Sequence, residues 1–166
     1  MENVVHVASY ICQRYQQQFG KRIDEMKLHK LLYFTQRESI IQTGDPIFKD
    51  CFEAWKYGPV LVSIRQLYKD GILDEDLSAS AKEQYKDVFD TVFNTYASKD
   101  SWSLSSITHG EYAWQQARKK VRSDEKSHEL IQTDDIRKDA ERVKLRRFLY
   151  NKVAPWMSQT NRYANN

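Results

Sequence analysis

Glycine, proline and cysteine are scarce in this sequence, which contains five, three and two of them in 166 residues. Neither a Gly-x-Gly-x-x-Gly stretch nor a Gly-x-x-x-x-Gly-Lys stretch occurs, so a loop that cradles a nucleotide phosphate is not expected. Cys12 and Cys51 match no metal-ligand spacing, and a structural disulfide is not expected in a reducing cytosol. Cys12 lies on an apolar stripe, which favours a small buried side chain.

Long apolar runs are also missing. Neither a run of about 18 apolar residues nor a basic-then-apolar leader is present, so we expect a cytoplasmic protein without a membrane partner. The four histidines are dispersed, and no pair has the i, i+4 spacing of a chelating helix, so neither a metal site nor a cofactor is expected. A Gly-x-Ser-x-Gly elbow is absent, and neither cysteine has a histidine beside it in sequence, so a catalytic nucleophile is not expected.

Aromatic and charged residues are plentiful instead. Aromatic residues make up 13% of the chain and charged residues 30%, with a mean hydropathy of −0.76. So many rings need burial, which predicts a folded domain despite the low hydropathy. Residues 1–114 contain 13 Lys/Arg against 16 Asp/Glu, whereas residues 115–166 contain 13 against 7. A basic C-terminal third is typical of an interaction segment.

Periodic apolar positions predict a mostly α fold, a compact bundle of about six helices. Pro59 suits the first position of one helix, Ser80-x-x-Glu83 fits a capping box, and Thr133 can cap the last helix. The predicted helices cover residues 4–19, 25–43 with Asp24 as the cap, 59–70 with Gly71 as the C-cap, 80–96, 103–120 with a break near Gly110, and 134–150.

A short extended or β element is expected at most around residues 48–57, where aromatic residues stand between chain-breaking ones. The second helix is expected to be central, because its apolar residues spread around much of its circumference. We expect one domain over residues 1–150 and a flexible tail over residues 151–166. The predicted core contains Leu28, Leu31, Leu32, Phe89, Val92 and Phe93.

Three stretches occur in an order that is characteristic of one family. They read KLHKLLYFTQ over Lys27–Gln36, FEAWKYGPV over Phe52–Val60 and LSSITHGEYAW over Leu104–Trp114. Together they make the chain, over residues 5–120, resemble the SocA-like, Panacea-domain antitoxins, which include phage-associated GepA-type proteins. Ala113 departs from the family, which often has proline before this tryptophan, and the segment after Lys120 is longer and more charged than the family core requires.

The resemblance implies an antitoxin that binds and neutralises a partner toxin and has no enzymatic activity. For the SocA type it also implies delivery of the toxin to the ClpXP protease. The sequence identifies neither the toxin nor the oligomeric state.

Trp55, Lys56 and Tyr57 allow two interpretations. In an extended segment Trp55 and Tyr57 share one face, and aromatic residues with a polar end suit either a core edge or an interface anchor. Trp55 could therefore pack on the central helix, with Gly58-Pro59 setting the next helix, or belong to a partner-binding face.

His109, Glu111 and Trp114 allow three interpretations: acid–base chemistry, a buried hydrogen-bonded network between two helices, or a partner-facing polar cluster. On a continuous helix His109 and Glu111 would point about 200° apart, so only a break at Gly110 could bring them together. We predict, as a hypothesis, that the cluster of Trp55, Lys56 and Tyr57 and the cluster of His109, Glu111 and Trp114 lie near each other and form or support the toxin-binding surface. An enzyme using His109 and Glu111 is the second alternative.

A DNA-associated regulator from a mobile element is the first alternative. Basic residues cluster at 118–122 and 137–147. Phosphate contact needs such charges on one face, whereas these are scattered around a helix with Asp139 and Glu141 among them. That scatter favours a solvated helix with intrahelical pairs over a nucleic-acid site.

Overall fold

A computed structural model describes residues 1–160, with side chains as far as residue 154. Within this range the chain forms eight α-helices, one π-helical turn and one two-stranded sheet, which confirms the mostly α prediction. The elements are α1 (Val4–Phe19), α2 (Glu25–Thr43), β1 (Glu53–Trp55), β2 (Gly58–Val60), α3 (Val62–Asp70), α4 (Ala79–Gln84), α5 (Lys86–Val92), the π-helical turn (Phe93–Ala97), α6 (Ser101–His109), α7 (Tyr112–Ala117) and α8 (Thr133–Thr160).

Local capping explains the ends of α1 and α2. The Asn3 side chain accepts a hydrogen bond from the Val5 N–H at 2.8 Å, and the Asp24 carboxylate accepts one from the Lys27 N–H at 2.9 Å. Gly20 and Gly44 end the two helices in the left-handed conformation, with φ of 68° and 84°. These boundaries are the predicted ones.

Helix α2 is the centre of the domain. It packs against α1, α5, α6 and α8 and against β2. Leu28, Leu31 and Leu32 are fully buried, and all six predicted core residues are at most 2% exposed. The central position of the second helix is therefore confirmed.

The Gly-Pro sequence belongs to a β-hairpin and does not start a helix. Ala54 pairs with Pro59 and Trp55 with Gly58, and α3 begins only at Val62. The prediction of Pro59 as a first helical residue is therefore wrong. Proline is also tolerated in an edge strand, and β2 is one of the two strands of this sheet.

The outer edge of β1 is covered by a later part of the chain. The Ala54 N–H donates to the Glu129 carbonyl and the Ile131 N–H donates to the Phe52 carbonyl, both at 2.8 Å. Phe52 and Ala54 are buried, so the hairpin is fixed on the body of the domain by this face.

The predicted helix after Ser80 is divided. Ser78, and not Ser80, caps α4, because its hydroxyl accepts from the Ala81 N–H at 3.2 Å. Tyr85, with φ of −103° and ψ of 15°, separates α4 from α5, and the π-helical turn Phe93–Ala97 follows. The prediction of a capping box at Ser80 and Glu83 is therefore wrong, and Ala81 at the third position after Ser78 has no side chain that could complete such a box.

The break near Gly110 is confirmed, since it separates α6 from α7. Helix α8 continues to Thr160, ten residues beyond the predicted end at Tyr150. Residues 151–154 contain neither glycine nor proline, so nothing in them stops the helix. The flexible tail over residues 151–166 stays a prediction, and its last part, 161–166, lies outside the described residues. Over residues 1–160, no helix is long and apolar enough to cross a membrane.

Candidate functional site

The two predicted clusters lie side by side. The Trp114 indole N–H donates to the Trp55 carbonyl at 3.0 Å, and the Ser105 hydroxyl donates to the Tyr57 carbonyl at 2.8 Å. The rings of His109 and Trp114 are stacked, with centroids 4.2 Å apart. Helices α6 and α7 therefore hold the back of the hairpin.

Glu111 lies inside the domain, which agrees with the buried-network interpretation and not with the partner-facing one. It is 8% exposed and forms an ion pair with Arg37, with Oε1 2.5 Å from Nη1. The second Nη of Arg37 donates to the Tyr96 hydroxyl at 2.6 Å. Burial acts to lower the pKa of Arg37, but Glu111 and Tyr96 raise it above its ordinary value, so the guanidinium is charged. The interpretation of Glu111 as part of a buried network between helices is confirmed.

Helix α8 adds two contacts to this network. The Asp139 carboxylate accepts hydrogen bonds from the N–H groups of Tyr112 and Ala113, both at 2.8 Å, and so caps the first turn of α7. The two Nη atoms of Arg147 each donate to Glu38 of α2 at 2.8 Å. Asp139 is 4% exposed, so the cap is itself buried.

His109 and Glu111 do not form an acid–base pair. Glu111 is bound to Arg37, whereas His109 faces Trp114 and has Nε2 3.5 Å from the Ser105 hydroxyl. Burial lowers the pKa of His109, and the Ser105 hydroxyl already donates its proton to a carbonyl. The arrangement stabilises the hairpin and lacks the geometry of a general acid and base acting together.

Two large aromatic side chains project beside the hairpin. Tyr57 is 46% exposed and Trp102 of α6 is 61% exposed, and their rings meet edge to face at 5.3 Å. The Lys56 ammonium lies 5.3 Å from the centre of the Tyr57 ring. We call Trp55, Lys56, Tyr57 and Trp102 the aromatic rim. Trp102 was missed from sequence, because one tryptophan among serines gives no periodic signal.

The aromatic rim borders a cleft of about 810 Å³. Its walls come from α2, the hairpin, α3 and the segment before α8, and they mix aromatic, cationic and anionic side chains. The lining residues are Glu25, Met26, His29, Lys30, Trp55, Lys56, Tyr57, Val60, Arg65, Asp124, Lys126, Ser127 and His128. A concave site of this size is able to hold several side chains of a partner.

His29 is a neutral hydrogen-bond donor at the floor of the cleft. Burial, and secondarily the charges of Lys30 and Arg65, lower its pKa to about 3. Nδ1 accepts from the Leu61 N–H at 3.3 Å, so the ring proton is on Nε2. Nε2 is buried and has no hydrogen-bond partner in the described part of the chain.

The position of the Lys30 side chain explains why residue 58 in the hairpin turn is a glycine. Its side chain is 1% exposed, its ammonium donates to the Pro59 carbonyl at 3.1 Å, and burial lowers its pKa to about 7. Gly58 has φ of 105°, and a Cβ there would lie 2.6 Å from both Lys30 Cε and Thr108 Oγ1. Only glycine fits between the lysine and the threonine at this backbone conformation.

Neither metal binding nor nucleic-acid binding gains support from this geometry. Among the described residues, no group of three or more His, Cys, Asp or Glu could hold a metal ion. Arg137 contacts the Gly44 carbonyl, Lys138 contacts Asp135, and Arg147 contacts Glu38. These three basic residues are bound within the chain, so they are not available for phosphate contacts.

Comparison with known proteins supplies the family. The model of the family "Antitoxin SocA-like, Panacea domain" matches residues 28–115, a range that runs from α2 into α7 and lies within the residues 5–120 that carry the motifs. Antitoxin SocA of Caulobacter vibrioides is 45% identical over 38 residues, which are 23% of this chain and 20% of that protein. The chain thus matches one fifth of the length of this relative, and no solved structure matches. Because the family model covers more than half of the chain and includes the hairpin and the residues around it, the chain belongs to the SocA-like, Panacea-domain antitoxin family.

Proposed function

We propose that this protein is the antitoxin of a bacterial toxin–antitoxin pair and neutralises its toxin in the cytoplasm by direct, stoichiometric protein binding. The family supports an antitoxin. The observation that carries the binding role is the aromatic rim, which lies in the family-matched region and exposes Tyr57 and Trp102 beside a cleft. In most interfaces a small number of residues, often aromatic, supplies most of the affinity.

The other predicted site residues support this surface from behind. His109 and Trp114 are stacked and hold the backbone of Trp55, while Glu111 fixes the start of α7 through Arg37. We therefore assign toxin contact to the aromatic rim and a positioning role to His109, Glu111 and Trp114. The charge reversal that tests the surface is Lys56→Glu, because Glu111→Lys would place an unpaired cation inside the domain.

Growth rescue tests the proposal. The product of the neighbouring reading frame, if toxic when expressed alone, is coexpressed with this chain or with a variant. Wild type should restore growth, and the double variant Tyr57→Ala/Trp102→Ala should restore it poorly, with Lys56→Glu intermediate. Ile72→Gln removes an equally exposed apolar side chain (51% exposed) outside the cleft and should rescue like wild type. Folded rim variants that rescue fully would place the interface elsewhere.

Delivery to a protease is separable from direct inhibition. Direct binding requires no other protein, so rescue should persist in cells that lack ClpXP. If rescue disappears there while the two proteins still bind each other, the chain acts as an adaptor that presents the toxin for degradation.

A further inference from the structure

The distal part of α8 exposes a set of large apolar side chains. Leu145, Phe148, Leu149 and Val153 are each between 51% and 58% exposed. Their spacing of three to four residues places them along one side of the helix, within an arc of about 140°. Contiguous exposed apolar side chains of this kind mark interaction surfaces. We call these four residues the α8 stripe.

The α8 stripe points away from the domain. Arg147 is bound to Glu38 of α2, and Val143, Arg147 and Ala154 are the partly buried positions of this part of the helix. At 100° per residue, Arg147 lies about 170° from the middle of the stripe. The helix is therefore attached by one side and presents its apolar side to solvent.

Folding does not require an apolar residue at these positions. In the first half of α8, the same outward side carries the exposed, charged residues Asp134, Lys138 and Glu141. The inward side is continuous from Ile136 and Ala140 to Arg147. The change from charged to apolar residues on the outer side alone indicates a contact outside the domain.

The charge around the stripe identifies the kind of partner. Arg142, Lys144, Arg146 and Lys152 are the exposed basic residues of this part of α8, and residues 142–154 contain no Asp or Glu. A second copy of the helix would bring like charges together, which is unfavourable. A partner surface that is apolar and has carboxylates at its edge would be complementary both to the apolar α8 stripe and to the basic residues around it. This part of the chain lies outside the family-matched residues 28–115.

We infer that the α8 stripe is a second docking surface for the toxin, and that it contacts an apolar patch of the toxin bordered by carboxylates. This inference rests on the proposed function and adds a recognition element beyond the family core. The basic residues beside the stripe steer and orient the acidic partner, while the apolar side chains hold it.

Binding of the toxic neighbouring gene product to purified chain tests the inference. Phe148→Gln/Leu149→Gln should raise the dissociation constant at least about tenfold, because apolar anchors at an interface usually contribute this much. Tyr150 is the matched control, since it is 68% exposed but lies about 130° from the middle of the stripe. Tyr150→Gln should change the constant less than about twofold.

A second variant tests the charges. Lys144→Gln/Arg146→Gln should weaken binding at low salt and reduce the salt dependence of the association rate. All variants replace exposed residues, and circular dichroism melting curves should match that of wild type. If wild type binds the toxin and the stripe variants bind equally well, the inference is wrong while the proposed function stands. If wild type does not bind the toxin, the proposed function is wrong, and the inference that the toxin occupies the α8 stripe is wrong as well.

Two further results would also overturn the inference. Self-association of wild type that the stripe variant abolishes, seen by sedimentation velocity, would make the occupant a second copy. Binding of wild type to phosphatidylserine vesicles that the stripe variant loses would make it a membrane surface.

Discussion

At the scale of single residues, the interior of this domain contains ionisable side chains that determine how its elements meet. Arg37 joins α2 to Glu111 at the start of α7, and Lys30 joins α2 to the hairpin through the Pro59 carbonyl. Taking one partner from a buried ion pair leaves an uncompensated charge, so such residues are costly to change.

Glu111→Gln should destabilise the domain by about 3–5 kcal/mol, because it leaves the Arg37 guanidinium buried without its carboxylate. Urea denaturation measures the change in the free energy of unfolding. The matched control is Lys82→Gln, which removes a surface pair with Asp76 and should cost much less, because exposed pairs contribute little to stability. Equal costs for the two variants would contradict the buried pair.

The buried His29 should make the stability of the domain depend on pH. Its pKa is about 3 in the folded domain but about 6.5 in the unfolded chain, so between these values the unfolded state binds more protons. The contribution of the neutral His29 to the free energy of unfolding is therefore fully present above about pH 6.5, and it is lost as the pH falls from there towards about 3. Relative to His29→Gln, wild type should lose up to about 1.4 kcal/mol of unfolding free energy per pH unit between about pH 6 and 4.

The difference between wild type and His29→Gln is the quantity to compare at each pH, since other groups titrate equally in both proteins. Lys30 and Arg65 are the cations whose charges add to the effect of burial on His29. A difference that is constant with pH would mean that the imidazole is accessible to protons in the folded state.

At the scale of elements, the hairpin is the part that fixes the candidate site. Its turn needs glycine because of the positive φ and because Lys30 and Thr108 fill the space where a Cβ would lie. The strand before the turn is paired on one edge with Gly58–Val60 and contacted on the other by the segment around Glu129.

Gly58→Ala should destabilise the domain by at least about 1–3 kcal/mol, the cost of a residue forced into a sparsely populated conformation, with the clash added. Thermal unfolding measures this. Gly71→Ala is the matched control: it also has a positive φ, 71°, but a Cβ there would meet no atom within 4 Å. It should therefore cost less, and an equal loss at both sites would contradict the close approach of Lys30 to Gly58.

Elements with local signals could be predicted from sequence, and those with distant partners could not. The ends of α1 and α2 follow from Asn3, Asp24 and two glycines within a few residues of them. Pro59 was assigned to a helix because its pairing with Ala54 is not visible locally. The burial of Glu111 depends on Arg37, 74 residues away.

The candidate site was predicted in part for the same reason. The two motif clusters were placed together from their shared aromatic and polar character, and the hydrogen bond from Trp114 to Trp55 joins them. The cleft and the exposure of Trp102 arise from how α2, α6 and the hairpin pack, which no single stretch encodes.

At the scale of the whole molecule, the Arg37–Glu111 ion pair is buried and the two surfaces that we propose bind a partner are exposed. The aromatic rim lies in the family-matched region, whereas the α8 stripe lies beyond it. In the proposed function these surfaces bind a toxin and leave it chemically unchanged. Binding of this kind consumes antitoxin in proportion to toxin.

Titration of the purified toxin with the purified chain tests this central claim most directly. The toxic neighbouring gene product is assayed at a concentration far above the dissociation constant while the antitoxin is added in steps. Stoichiometric neutralisation predicts that toxin activity falls linearly and reaches zero at a fixed molar ratio, at which light scattering shows a complex of the same composition. Complete loss of activity at a small fraction of that ratio, or no loss with excess antitoxin, would contradict the account.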